Sequence, residues 1–133
     1  MDPRIGGFTN RSINIKPHEL GETQYDACLS ISSYEHDGLG RYGDPLNPTA
    51  DLETMAKMKS VLKKNGLMYL AVPMGYDYLY FNVHRVYGTQ RFPKLIEGWE
   101  VVDEFGFFND TFTNMYNTGE QSPYQPVCVL RNL

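Results

Sequence analysis

The feature that most constrains the fold is a run that is almost wholly apolar, Leu67-Met68-Tyr69-Leu70-Ala71-Val72-Pro73. A short run without polar alternation predicts a strand that is buried on both faces, as in the middle of a parallel sheet. A second run, Tyr25–Ser32, is mostly apolar and is bounded by turn residues, so it predicts another buried strand. Parallel strands need a crossover connection, which the intervening residues must supply.

The intervening residues predict a helix. The segment Asn47–Asp51 offers several helix-capping residues, and Pro48 is well placed for a first turn. One side of the helix that follows is apolar and consists of Leu52, Met55, Met58 and Leu62. The helix is predicted to end at Lys63-Lys64-Asn65-Gly66, because basic residues suit the last turn and Gly66 suits the left-handed cap. Strand, helix and strand in this order indicate an α/β domain with a parallel sheet.

The second half of the chain continues the alternation. A helix is predicted in part of Asn82–Glu97, with a break at Phe92-Pro93. Strands are predicted at Trp99–Phe105 and Pro126–Leu130, and the polar residues between these two strands indicate a long loop. Because no helix separates the last two strands, they are predicted to form an antiparallel hairpin at one edge of the sheet.

The N-terminal region predicts less structure. Residues 1–12 are polar and glycine-rich and are expected to be poorly ordered. Residues Ser12–Lys16 alternate apolar and polar side chains, which is typical of a short, half-exposed strand. A length of 133 residues suits one domain, so residues 1–133 are predicted to form a single domain.

Composition excludes several classes of function. The net charge is −4 and the lysines and arginines are scattered, which argues against a nucleic-acid partner. The sequence has no apolar run of about 18 residues and no apolar signal-peptide core, so no membrane association is predicted and a cytoplasmic location is the default. Cys28 and Cys128 lie in apolar runs and are expected to be buried free thiols.

The loop between the first buried strand and the helix carries most of the ionisable groups. Glu35, His36 and Asp37 are consecutive, and glycines and prolines constrain the backbone that follows them. In one interpretation Glu35 and His36 are catalytic, with His36 as a proton acceptor that the neighbouring carboxylate tunes. In the other interpretation Glu35 caps backbone amides of the glycine-containing loop and His36 packs beneath it.

Further candidate residues lie on both sides of the central strand. Arg41 and Asp44 are candidate substrate-binding residues, unless they pair with each other across the turn. His84 is a candidate catalytic donor or base, and Arg85 is a candidate anion-binding fork. Asn82 is a candidate substrate-binding residue, although a helix N-cap is the commoner use of an asparagine in such a place.

Two loops are predicted to meet at one edge of the sheet. In α/β sheets ligands bind beyond the carboxyl ends of the strands, and both candidate loops follow such ends. Glu35, His36, His84 and Arg85 are therefore predicted to line one polar crevice. No metal site is predicted, because His18, His36 and His84 do not have the spacing of a dense ligand motif and no Cys-x-x-Cys occurs.

Two stretches, YDACLSISSYEH and DLETMAKMKSVLKKNGLMYLAVP, resemble the second half of a class I S-adenosylmethionine-dependent methyltransferase. The resemblance rests on Tyr25-Asp26 at the start of a strand, Glu35-His36 near its end and the turn 62–66 before the next strand. The motifs SSYEHDGLGRYGDPLNP, FNVHRVYG and PVCVL resemble a nematode-type domain-of-unknown-function family, number 268, which is itself methyltransferase-like. The resemblance implies a Rossmann-like sheet, S-adenosylmethionine as the cofactor of complete relatives, and an acceptor pocket near His84.

The sequence departs from the methyltransferase pattern before Tyr25. The first strand and its glycine-rich cofactor turn have no counterpart there, and Gly6-Gly7 is not part of a strand–turn–helix pattern. The expectation is therefore a partial sheet, mostly parallel, that lacks its front cofactor-binding half. This chain alone is then expected to bind no S-adenosylmethionine, and no residue is assigned to the cofactor.

Three functions stay open on this basis. The chain is a methyltransferase-like protein related to enzymes that act on a small or sugar-like acceptor, a non-catalytic interaction domain, or a gene fragment. Because the front half is expected to be missing, Tyr25–Ser32 is predicted to lie at the edge of the sheet. An apolar edge strand favours self-association, a protein partner or aggregation, unless Ser12–Lys16 covers that edge.

Overall fold

The computed structural model describes residues 24–117 and 119–133. In these ranges the chain forms six strands and two α-helices, which in chain order are β1 Tyr25–Ile31, α1 Ala50–Val61, β2 Leu62–Ala71, β3 Tyr78–Tyr80, β4 His84–Val86, α2 Arg91–Leu95, β5 Trp99–Phe105 and β6 Val127–Asn132. The expectations for residues 1–12, for a strand at Ser12–Lys16 and for His18 lie outside the described residues.

The main sheet has the strand order β1-β2-β6-β5. Strands β1 and β2 are parallel and are joined through α1, whereas β6 is antiparallel to both of its neighbours, β2 and β5. The α/β class, the parallel crossover and the antiparallel C-terminal pair are therefore as predicted. Strand β5 has the predicted bounds, and β1 ends one residue earlier than expected.

One face of the sheet packs against α1 and forms the core. Met68 and Leu70 of β2 are fully buried and belong to one apolar cluster with Met55 and Met58 of α1. Side chains alternate between the two faces of a strand, so their neighbours in β2 point the other way. Of these, Tyr69 is 37% exposed, and its cross-strand partner Leu29 is 67% exposed. Among the described residues, the face of the sheet toward α1 is therefore buried, whereas the opposite face is partly exposed at Leu29 and Tyr69.

The junction between α1 and β2 differs from the expected helix end. Helix α1 ends at Val61, and Leu62 already pairs with Tyr25 in the sheet. The next pair of the register is Ala27 with Leu67, so residues 63–66 bulge out of the ladder. Asn65, with φ of 67°, takes the left-handed conformation that was expected of Gly66, because asparagine tolerates that region better than most residues.

The helix predicted in part of Asn82–Glu97 is confirmed only over Arg91–Leu95, and the predicted break at Phe92-Pro93 is wrong. Strands β3 and β4 form an antiparallel hairpin, and Asn82 lies in its turn with φ of 67° instead of capping a helix. The helix is limited to Arg91–Leu95, and Pro93 lies within it instead of breaking it. Proline is tolerated there because residues of a first helical turn have no backbone partner for their N–H. The carboxylate of Asp77 accepts hydrogen bonds from the free N–H groups of this helix start, at 2.8 Å from Gln90 and 3.0 Å from Arg91.

The long segment between β5 and β6 returns to the carboxyl edge of β2. Asn117 is buried, and its Nδ2 donates to the carbonyls of Met74 at 2.9 Å and Tyr124 at 2.7 Å. These bonds fix the segment against the loop that follows β2. Within the described ranges, no helix is long and apolar enough to cross a bilayer.

The substitution Leu70→Ala is expected to lower the free energy of unfolding by about 2–5 kcal/mol, because the Leu70 side chain is fully buried and its truncation opens a cavity. The matched control is Leu79→Ala in the hairpin, where the side chain is 53% exposed and the expected change is within about 0.5 kcal/mol. Urea unfolding followed by circular dichroism measures both. Equal losses in the two variants contradict the described core.

Candidate functional site

The loop that follows β1 is folded tightly against the start of α1. Gly38 has a φ of 75°, and a Cβ atom placed there would lie 2.2 Å from the carbonyl oxygen of Asn47. The Asn47 amide donates to the Gly38 carbonyl at 2.8 Å, which closes the loop at its base. Only glycine satisfies both the left-handed backbone and this close approach.

Arg85 of β4 holds the base of this loop from the other side. Its Nη1 donates to the carbonyl of Asp37 at 2.6 Å and its Nη2 to the carbonyl of Asn47 at 3.3 Å. The residue is 3% exposed. A buried guanidinium needs hydrogen-bond acceptors and a counter-ion. The counter-ion is Asp51, whose Oδ2 lies 3.7 Å from the Arg85 Nε. The N–H donors of Arg85 are thus directed at backbone carbonyls of the protein itself. Its predicted role as a substrate-binding residue stays a prediction.

Asp51 is the centre of a buried polar network. Its carboxylate is fully buried and accepts hydrogen bonds from Arg91 at 2.6 Å and from the Tyr87 hydroxyl at 2.8 Å. The hydrogen bond to Asp51 raises the pKa of Arg91, and burial together with the nearby carboxylate raises the pKa of Tyr87. Arg91 and Tyr87 therefore both keep their protons at neutral pH.

Glu35 points into the interior at the carboxyl edge of the sheet. A 3₁₀ turn over Tyr34–His36 places it there, and the residue has no exposed surface. The Ser32 hydroxyl donates to Oε2 at 2.8 Å, whereas Oε1 has no hydrogen-bond partner among the described residues. Burial raises the pKa of the Glu35 carboxyl above its ordinary value of 4.5, against the lowering effects of Ser32, His36 and His84. The environment favours the protonated, neutral acid.

His36 lies beside Glu35 and is the exposed end of the pair. Its Nδ1 is hydrogen-bonded to the carbonyl of Val83, which accepts only, so Nδ1 carries the proton in the neutral ring. The other nitrogen, Nε2, then has a free lone pair and lies 3.6 Å from Oε2 of Glu35. The His36 side chain is 19% exposed, and the Tyr42 ring packs edge-on against it at a centroid distance of 5.9 Å.

His84 is brought next to this pair but is enclosed. It is 1% exposed, and its Nε2 donates to the carbonyl of Gly119 at 2.8 Å. The ring of Tyr80 stacks on it at a centroid distance of 6.5 Å. His36 reaches the backbone of Val83, the residue before His84, so the two predicted loops do meet at one edge of the sheet. Glu35 and His36 are in contact there and Arg85 donates to the carbonyl of the neighbouring Asp37, while the catalytic roles of Glu35, His36 and His84 stay predictions.

The other candidate residues lie nearer the surface. Arg41 is exposed, with its guanidinium carbon 5.6 Å from the centre of the Tyr42 ring. Asp44 accepts a hydrogen bond from the Gly38 amide at 2.7 Å and forms no ion pair with Arg41 in the described part of the chain. Desolvation raises the pKa of Asp44, but several backbone hydrogen bonds, that from Gly38 foremost, together outweigh it and lower the pKa overall. Asn82 is exposed in the β3–β4 turn.

In the described part of the chain, neither a cysteine thiol nor a cluster of metal-ligating side chains belongs to this site. Cys28 is half-buried and Cys128 is buried, both are free, and burial raises the pKa of Cys128 to about 12. In residues 24–117 and 119–133, no group of three or more His, Cys, Asp or Glu side chains is placed to share a metal ion. His18 was one of the three histidines considered for such a site, and it lies outside these ranges.

The sequence did not indicate some members of this site. Ser32, the donor to Glu35, has a φ of 53°, and its only signal is a serine at the end of an apolar run. Asp51, Tyr87 and Arg91 come together from positions 36 and 40 residues apart in sequence. No local pattern predicts such a contact.

The fold is of a known class. The solved structure of TehB from Haemophilus influenzae matches with a TM-score of 0.50 at 14% sequence identity, over 84% of this chain and 36% of the TehB chain. At this identity the likeness shows the fold alone, which is methyltransferase-like, as the sequence predicted. The chain spans little more than a third of the length of that relative.

The sequence also identifies the family. Residues 7–129 match the family described as Caenorhabditis protein of unknown function, DUF268, and the protein belongs to this family. The predicted membership is therefore confirmed. No curated protein matches the sequence.

The substitution Glu35→Gln is expected to change how stability depends on pH. Because the pKa of Glu35 is raised, the folded chain binds more protons than the unfolded chain from about pH 4.5 upward through the folded pKa. The contribution of Glu35 to the free energy of unfolding is therefore fully present below pH 4.5. It falls as the pH rises from about 4.5 through the pKa of the folded state, by at most about 1.4 kcal/mol per pH unit. Glutamine does not titrate, so the variant loses this part of the slope.

Urea unfolding at a series of pH values measures the difference between the two proteins. The raised pKa of Asp37, which burial causes, gives a slope of the same sign, but Asp37 is present in both proteins and cancels in the difference. Parallel stability curves for the two proteins contradict a neutral, buried Glu35.

Proposed function

We propose that the described residues are the acceptor side of a methyltransferase-like domain, in which Glu35 and His36 form an acid–base pair for a small or sugar-like acceptor. The observation that carries the proposal is the contact between a fully buried carboxyl group of raised pKa and a partly exposed imidazole, at the carboxyl edge of β1. Ionisable groups with a perturbed pKa, such as Glu35, are typical of functional sites. Ligands of α/β sheets bind at this edge.

The roles within the pair follow from its hydrogen bonds. The Val83 carbonyl keeps the proton of neutral His36 on Nδ1, so Nε2 is the basic atom. Glu35 lies behind it at 3.6 Å and is itself held by Ser32. The hydroxyl proton of an acceptor would pass to Nε2 of the imidazole, and the adjacent Glu35 carboxyl group would orient the resulting imidazolium without changing its own protonation state. In this arrangement His36 contacts the acceptor and Glu35 is a positioning residue.

We propose further that this chain alone does not bind S-adenosylmethionine. Cofactors of this kind are held by backbone amides of a glycine-rich turn and by the helix N-terminus behind it. The sequence before Tyr25 offers no such strand–turn–helix pattern. The match to TehB covers only 36% of that chain, which supports a partial domain.

A non-catalytic interaction domain is the second candidate. It is favoured by the enclosure of His84 and Arg85, which direct their hydrogen bonds at the protein itself. It is also favoured by the exposed apolar side chains of β1. The accessibility of His36 discriminates between the two candidates, because an acid–base role needs an imidazole that small molecules reach.

Calorimetric titration of the purified chain with S-adenosylmethionine is expected to give no binding heat. The physical reason is the lack of a glycine-rich turn to receive the methionine and ribose groups. Circular dichroism of the same sample checks that the chain is folded. A micromolar dissociation constant contradicts this part of the proposal.

The imidazole of His36 is expected to react faster with diethyl pyrocarbonate than that of His84. The reagent modifies unprotonated imidazole nitrogens, and His36 is 19% exposed in its side chain, whereas His84 is 1% exposed. Peptide mass spectrometry over a time course at neutral pH measures both rates in one sample, with His84 as the internal control. If His36 reacts no faster than His84, the acid–base role is wrong and the interaction domain is favoured.

A further inference from the structure

The imidazole of His36 depends on one hydrogen bond for its tautomer. Its Nδ1 is bonded to the carbonyl of Val83, which lies 47 residues further along the chain, in the turn of the β3–β4 hairpin. In the described ranges this is the only hydrogen bond of the His36 side chain. The hydrogen bond at one ring nitrogen decides which nitrogen carries the proton. The position of the Val83 carbonyl therefore decides whether Nε2 keeps the free lone pair that a base needs.

A tight turn holds Val83 in this position. The Val83 amide donates to the carbonyl of Tyr80 at 2.9 Å, which closes a four-residue turn over residues 80–83. Asn82 is the third residue of this turn and has a φ of 67°, whereas the φ of Phe81 is not positive. A turn with positive φ at its third residue calls for glycine or asparagine, because other side chains tolerate the left-handed region poorly. The backbone of Val83 is thus held through its N–H, and its carbonyl is left for His36.

The hairpin is too short to fix its own register. Strands β3 and β4 have three residues each, and a lone pair of strands is marginally stable. The register of a hairpin is set by its turn, and here the turn places Tyr80 opposite His84. A slip by one residue would turn every side chain of β4 to the other face. The contacts of Val83 with His36 and of Arg85 with the Asp37 carbonyl would then both be lost.

We propose that Asn82 is a positioning residue for His36. Its left-handed backbone fixes the turn whose Val83 carbonyl holds the imidazole proton on Nδ1. The inference rests on the proposed acid–base role of His36, in which Nε2 is the basic atom. It assigns the role of Asn82 to its backbone conformation, which differs from the contact with substrate predicted for this residue from the sequence.

A second asparagine offers a matched control. Asn65 has the same φ of 67° as Asn82 and is likewise exposed. It lies in the bulge at the amino end of β2, whereas His36 lies at the carboxyl edge of the sheet. The same substitution therefore strains the backbone in the same way at both asparagines, but only Asn82 is joined to His36 through Val83.

Long-range ¹⁵N–¹H NMR spectra of the full chain measure the tautomer of each imidazole directly. Spectra are recorded at a pH at which the imidazoles are neutral, and the His36→Gln variant assigns the His36 signals. Wild type is expected to carry the His36 proton on Nδ1. Asn82→Gly is expected to do the same, because glycine keeps the left-handed backbone although it lacks the amide.

Two further substitutions at Asn82 strain the turn to different extents. In Asn82→Ala the ratio of the Nδ1–H to the Nε2–H form is expected to fall about 5–30-fold, the population change that corresponds to an ordinary side chain in the left-handed region. Asn82→Val is expected to lose more, because a β-branched side chain is excluded from this region more strongly. Asn65→Val is expected to keep the wild-type ratio.

The outcomes separate this inference from the proposed function. Circular dichroism shows which variants are folded, and Asn82→Ala decides the test if Asn82→Val unfolds. A wild-type tautomer in the folded Asn82→Ala and Asn82→Val overturns the inference and leaves the role of His36 intact. An equal loss in Asn82→Gly overturns it because the amide then matters, and an equal loss in Asn65→Val overturns it because the effect is then general. A wild type with the proton on Nε2 overturns both this inference and the assignment of Nε2 as the base.

Discussion

The site depends on the buried guanidinium of Arg85. It lies in the β3–β4 hairpin, and its hydrogen bonds reach the carbonyls of Asp37 and Asn47 in the loop after β1. Its counter-ion, Asp51, is in the first turn of α1. Removing one partner from a buried ion pair costs about 3–5 kcal/mol, because the other charge is left uncompensated. One side chain therefore joins a hairpin, a loop and a helix into a single rigid unit.

The contacts of Arg85 also explain how a loop rich in glycine holds ionisable groups in place. His36 is bound to Val83 and Arg85 is bound to Asp37, so two adjacent cross-links run in opposite directions between the same two segments. Glu35 directly precedes these two links in the chain, so its backbone is held in place on that side. Its burial raises the pKa of the carboxyl group.

The strands of the main sheet could be predicted from the sequence because each depends on a local apolar pattern. Trp99–Phe105 was predicted with its observed bounds, and the parallel pairing of β1 with β2 followed from the helix between them. The hairpin at Tyr78–Val86 was missed because Asn82 resembles a helix cap in sequence but adopts a left-handed turn. The sheet, not the local pattern, also decides that Leu62 pairs with Tyr25 instead of ending α1.

The candidate site was predictable to the extent that it follows from the ends of strands. The meeting of His36 with the segment that carries His84 follows from two parallel strands that end at the same edge. The sequence did not predict which of these side chains are buried and which hydrogen bonds they make, because their partners lie far away in the chain. Gly119, which accepts from His84, is 35 residues distant, and Asp51 is 40 residues from Arg91.

The glycines divide this loop into a clamped base and a free tip. A Cβ at Gly38 would meet the Asn47 carbonyl at 2.2 Å, so this position serves packing, whereas a Cβ at Gly43 would meet nothing within 4 Å and that position serves only the turn. Between them lie Arg41 and Tyr42, which are both exposed, and the Tyr42 ring touches His36. Under the proposed acid–base role, an acceptor that approaches His36 would meet the tip first. The Val83 carbonyl fixes the imidazole, and the tip would be the part of the loop with room to adjust to a ligand.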